Sequence, residues 1–72
     1  LGEKKVNELS DNQIITIFAE IHAGRGNHGG FLRAFAAALL RADPLNFGIM
    51  REAALKLISK YDLVKYTEAE SV

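Results

Sequence analysis

Along the first third of the chain the large apolar residues sit at Leu9, Ile14, Ile17, Phe18 and Ile21. From Ile14 onward this is the i, i+3, i+4, i+7 spacing of one helical face. That period outweighs the β-branched letters of QIITIFAEIHA, which taken singly would suit a strand. A start signal stands in front of it. Ser10 reads as an N-cap, Gln13 three residues later completes a capping box, and Leu9 is placed to staple against Ile14. Gly24 supplies the stop, and His22 falls in the last turn, where exposed carbonyls favour a cation. The pattern predicts a first helix over residues 11–23.

The segment FLRAFAAALLRA holds only good helix formers and aromatics, and it predicts a second helix over residues 30–42. On a helical wheel Phe31, Leu32, Phe35, Leu39 and Leu40 share one broad side, and Ala34, Ala37 and Ala38 the other. A helix so apolar all round is expected at the centre of a bundle, covered on more than one side. Asp43 followed by Pro44 ends it and begins the next helix, with Asp43 as N-cap and Pro44 at the first helical position. The third helix, over residues 44–61, gathers Phe47, Met50, Ala54, Leu57, Ile58 and Tyr61 on one face, with Arg51 at its edge. Glu52, Lys56, Ser59 and Lys60 stand opposite. Gly48 weakens its first turns, so a break near Phe47 is the alternative. The charged or small residues of 1–8 and 67–72 lack any period and are expected to fray. The fold class expected is all-α: one compact three-helix array with short connections, its ordered core spanning about residues 9–64.

Several apolar residues do not fit this core. Leu45 and Ile49 fall on the polar arc of the third helix near Lys56, and Leu55 points between Arg51 and Ser59. The second helix adds the small Ala34, Ala37 and Ala38 face, which permits close approach of another helix. These six residues form the candidate interface for a second copy of the chain or for another protein. Length sharpens the point, because a 72-residue chain buries only about 60% of the surface of its unfolded state. Self-association as a homodimer is therefore expected.

Charge narrows the partners. Nine Lys plus Arg balance nine Asp plus Glu, so no global field draws the chain to nucleic acid or anionic lipid. The absence of cysteine excludes a disulfide scaffold and a thiolate metal site, and it suits a reducing cytoplasm. The longest apolar run, FAAALL, is far too short to cross a bilayer, and no secretory signal pattern opens the chain. A membrane role is not expected.

Candidate chemistry is sparse. Gly24, Gly26 and Gly29 have the spacing G-x-G-x-x-G, but they follow a helix, and the chain is too short for the parallel sheet that dinucleotide-binding glycines require. What survives is an anion site at the start of the second helix, built from Arg25, Gly26, His28, Gly29 and Gly30 and suited to a phosphate or carboxylate. The plainer alternative is that these glycines only join two helices. His22 and Glu20 lie about 200° apart on the wheel, which fails the shared-face geometry of a helical metal site. With no thiol and no carboxylate pair set among apolar residues, neither catalysis, a cofactor nor a metal is expected. The second helix, the RADP corner and the third helix resemble in outline a helix-turn-helix. Its recognition segment, PLNFGIMR, would offer only Asn46 and Arg51 to base edges, which disfavours nucleic acid.

Overall fold

The structure, a computed structural model, describes residues 8–71, with side chains described through Thr67. Three helices carry it: α1 (Asp11–His22), α2 (Gly30–Arg41) and α3 (Pro44–Tyr61). A single 3-10 turn, Arg25–Asn27, lies between α1 and α2, and a run of 3-10 turns, Val64–Ser71, follows α3. No strand occurs among the described residues. The fold is thus the expected all-α three-helix array.

The local signals act as their chemistry dictates. Ser10 Oγ accepts from the Gln13 amide at 3.1 Å while Gln13 Oε1 accepts from the Ser10 amide at 2.9 Å. Two amides that α1 leaves without partners are thereby satisfied. Leu9 and Ile14 are both buried, as a staple requires. Gly24 takes φ 101°, the left-handed conformation that lets the chain leave α1 without a Cβ clash. Asp43 Oδ1 accepts from the Asn46 amide at 2.8 Å, and Pro44 opens α3 with no N–H to leave unpaired. α3 then runs unbroken across Gly48.

The core places α1, not α2, at the centre. Ile14, Ile17, Phe18 and Ile21 of α1 are fully buried, whereas α2 buries only Leu32, Ala36 and Leu39. α1 packs against α2 on one side and the C-terminal segment on another, and α3 adds Ala54 and Ile58. The expectation of a central α2 fails for an energetic reason. Isoleucine and phenylalanine each carry far more apolar area than alanine, so seating α1 centrally buries more of it. Phe31 is consequently 63% exposed and Leu40 is exposed as well. Phe35 is half-buried, its ring 5.4 Å from that of Phe18.

Past α3 the chain stays tied to the core for several residues. Asp62 adopts the left-handed conformation (φ 57°), the Leu63 amide donates to Ile58 O at 2.9 Å and the Asp62 amide to Ser59 O at 3.4 Å. This is a Schellman closure, and its apolar pair, Leu63 with Ile58, is fully buried. Tyr66, one 3-10 turn further on, is buried too, and Thr67 Oγ1 donates to Val64 O at 2.8 Å. The core thus reaches beyond residue 64. The fraying expected of residues 1–7 and of residue 72 lies outside the described residues.

Arg51, at the edge of the core face, ties the middle of α3 to the start of α1. Its Nη2 donates to Leu9 O at 2.7 Å and its Nε to Asp11 Oδ1 at 2.9 Å. Charge-assisted bonds of this kind, one of them part-buried, make Arg51→Ala an expected loss of about 1–3 kcal/mol of stability. Arg33→Ala and Arg41→Ala, on exposed positions of α2, should change the denaturant midpoint by little.

Candidate functional site

Two places follow from the chemistry of the chain: the glycine-rich corner between α1 and α2, and the outward face of α3. In the corner, Gly24, Gly26 and Asn27 all have positive φ, at 101°, 78° and 54°. The chain therefore turns sharply and brings His28 back toward the C-terminal segment. His28 Nε2 lies 2.9 Å from Tyr66 Oη, with the two rings edge-on and their centroids 5.8 Å apart. The Arg25 guanidinium sits 5.5 Å from the centre of the Tyr66 ring and donates to Glu20 Oε1 at 2.9 Å. Lys65 approaches the same ring at 5.7 Å. Each of these contacts is made within the chain.

The corner thus spends its polar groups on holding Tyr66. Arg25 is neutralised by Glu20 and laid on an aromatic ring, and His28 is engaged by a phenol. Gly26 has its own steric reason to be glycine. A Cβ there would overlap Tyr66 Oη and come within 2.7 Å of His28 Nε2. Gly29 caps α2 with no side-chain hydrogen bond, and no acid stands in the first turn of α2. At Gly24, Gly29, Gly30 and Gly48 a Cβ would meet nothing within 4 Å. Tyr66 and Leu63 escaped the reading of periodicity because Leu63 lies just past the end of α3 and Tyr66 belongs to the 3-10 run that follows. Their spacing of three after the helix-ending Asp62 is the signal that marks them.

His22 is exposed at the end of α1. Among the described residues no group of three His, Asp or Glu side chains is placed to hold a metal ion. Arg51, one of two side chains considered for base edges, is committed to Leu9 and Asp11.

On α3 the six interface candidates separate. Leu45 and Ile49, one helical turn apart, are 78% and 71% exposed, the most exposed large apolar side chains among the described residues. Leu55 is half-buried and packs against the core. A charge placed there would act on the core itself, so Leu55 is a poor probe of association. On α2, Ala34 and Ala38 are exposed and Ala37 is half-buried. The apolar surface that remains uncovered therefore centres on Leu45 and Ile49, and Ala53, the next residue at a four-residue step, is also exposed. Among the described residues no helix is long and apolar enough to cross a membrane. No family model, no curated protein and no solved structure matches this chain.

Proposed function

We propose that this chain is a small cytoplasmic interaction module that associates with itself and acts by binding another macromolecule. The observation that carries the reading is the exposure of Leu45 and Ile49 on one face of α3, in a domain that buries its other large aliphatic side chains wholly or in part, except for Ile15 and Leu40 at the margin of exposure. Adjacent exposed aliphatic residues rimmed by polar ones are the signature of a surface that another surface covers. Zero formal charge at neutral pH leaves no net repulsion between copies.

Sedimentation velocity across a wide concentration range tests this. The expected result is a mass that rises with concentration in the native chain. Leu45→Glu, which exposes a carboxylate where an apolar contact should form, should hold the chain at monomer mass. Its unfolding at low concentration should remain native-like, because Leu45 is 78% exposed and has little burial to lose. Because association stabilises the folded state by mass action, the native thermal midpoint should rise with protein concentration and that of Leu45→Glu should not. A native mass of one chain throughout, with Leu45→Glu indistinguishable from it, would refute self-association.

The anion-binding reading of Arg25, Gly26, His28, Gly29 and Gly30 is less well supported, since the two side chains that would contact an anion are engaged by Glu20 and Tyr66.

A further inference from the structure

We infer that the segment after α3 is a latch: it seats on α1 and lifts off as a unit while the three helices stay folded, and the Tyr66 phenol is the bolt that locks it. The latch acts within one chain and does not depend on the self-association proposed above. The segment hangs from a one-residue joint, Asp62, whose left-handed φ of 57° turns the chain back from the end of α3. Local hydrogen bonds give it its shape. The Leu63 amide donates to Ile58 O at the end of α3, while the Tyr66 amide donates to Leu63 O and Thr67 Oγ1 to Val64 O. The last two bonds lie inside the segment and travel with it.

Two side chains anchor the segment by burial. Leu63 is fully buried and Tyr66 nearly so, whereas Lys65 between them is exposed and Val64 and Thr67 are half-buried. The corner between α1 and α2 supplies the socket. Tyr66 Oη occupies the place that a Cβ on Gly26 would take, His28 Nε2 lies 2.9 Å from it, and the Arg25 guanidinium rests against the ring. Oxygen, imidazole and glycine fit one another there, so the seated position is specific.

Release spares the helices for a geometric reason. The segment follows all three, so lifting it breaks no helical ladder and leaves α1 packed on α2, with Ala54 and Ile58 of α3 in the core. It uncovers two of the twelve buried hydrophobic residues, whereas global unfolding uncovers all twelve. An opening of that size lies well below the free energy of global unfolding. It bares the flank of α1 on which the segment packs. The latch therefore governs access to the central helix.

The chain contains two tyrosines and neither tryptophan nor cysteine, so iodination of the native protein, with the sites read by mass spectrometry, tests the latch directly. Tyr61, 39% exposed, serves as the internal reference for the 6% exposed Tyr66. Tyr66 should react about tenfold or more slower than Tyr61, yet about tenfold or more faster than the globally unfolded fraction permits. Its rate should stay nearly flat in urea below the unfolding transition, because release exposes little surface. His28→Ala removes one hydrogen bond from the seated state and should speed the reaction of Tyr66 about fivefold, leaving Tyr61 unchanged. Circular dichroism checks that the variant keeps its helices. If Tyr66 reactivity follows the unfolded fraction through the urea series, the segment opens only with the whole fold and there is no latch. Reaction of Tyr66 as fast as Tyr61 would mean that the segment is not seated. An unchanged Tyr66 rate in His28→Ala would overturn the phenol as its bolt.

Discussion

Phe18→Ala is expected to cost about 3–5 kcal/mol of folding stability, a large share of what a domain of this size possesses. Phe18 is fully buried on the central helix, so truncation removes its transfer free energy and leaves a cavity whose walls belong to elements already held in place. The ring of Phe35, 5.4 Å away, would lose its packing partner at the same time. Ile58→Ala, at a fully buried site on α3, should cost about 2–5 kcal/mol by the same mechanism. Phe31→Ala supplies the contrast, because a ring that is 63% exposed has little burial to lose. Equilibrium denaturation in urea reads all three. Equal midpoints for Phe18→Ala and Phe31→Ala would show that α1 is not the central helix.

Gly26→Ala should destabilise the fold by about 2–3 kcal/mol, although it adds a single methyl group in an exposed loop. Two costs combine. A non-glycine residue at positive φ costs about 1–2 kcal/mol, and φ here is 78°. The added Cβ would also overlap Tyr66 Oη, and the phenol cannot simply swing aside, since Tyr66 is only 6% exposed. Displacing it forfeits the bond to His28, worth about 1 kcal/mol. Pairing the substitution with Tyr66→Phe separates the two costs. Removing the hydroxyl relieves the overlap and leaves the backbone cost, so Gly26→Ala should be milder in the Tyr66→Phe background than alone. Gly24→Ala, where a Cβ meets no neighbour, should show the backbone cost without any such coupling. Strict additivity of Gly26→Ala and Tyr66→Phe would mean that the corner does not clasp the C-terminal segment.

The corner also shows a contact that the glycine spacing does not announce. The three glycines raise the question of a bound phosphate, and the structure sets a tyrosine from near the far end of the chain against the same corner. Nothing in the letters AGRGNHGGF connects them to Tyr66, which lies 38 residues beyond His28. A relation of that kind depends on how the C-terminal segment is turned back by Asp62, and a left-handed aspartate is a weaker signal than glycine would be.

Local chemistry determined the helices themselves. Ser10 and Gln13, Gly24, Asp43 and Pro44 act within four residues of the ends they mark, and hydrogen bonds that short are written in the sequence. The outward aspect of Leu45 and Ile49 was legible for the same reason, because one helix's period suffices to oppose them to Ala54 and Ile58. What required the tertiary structure was every choice between elements. Which helix is central depends on the total apolar area that each arrangement covers, a sum over all three helices rather than a property of one. That sum seats α1 inside, leaves Phe31 at the surface and draws Leu55 partly into the core. The fates of Arg51 and His28 likewise depend on partners 42 and 38 residues away. Long-range contacts fix those side chains because burial is non-directional and rewards total area, whereas caps and turns are set by directional bonds that reach only a few residues along the chain.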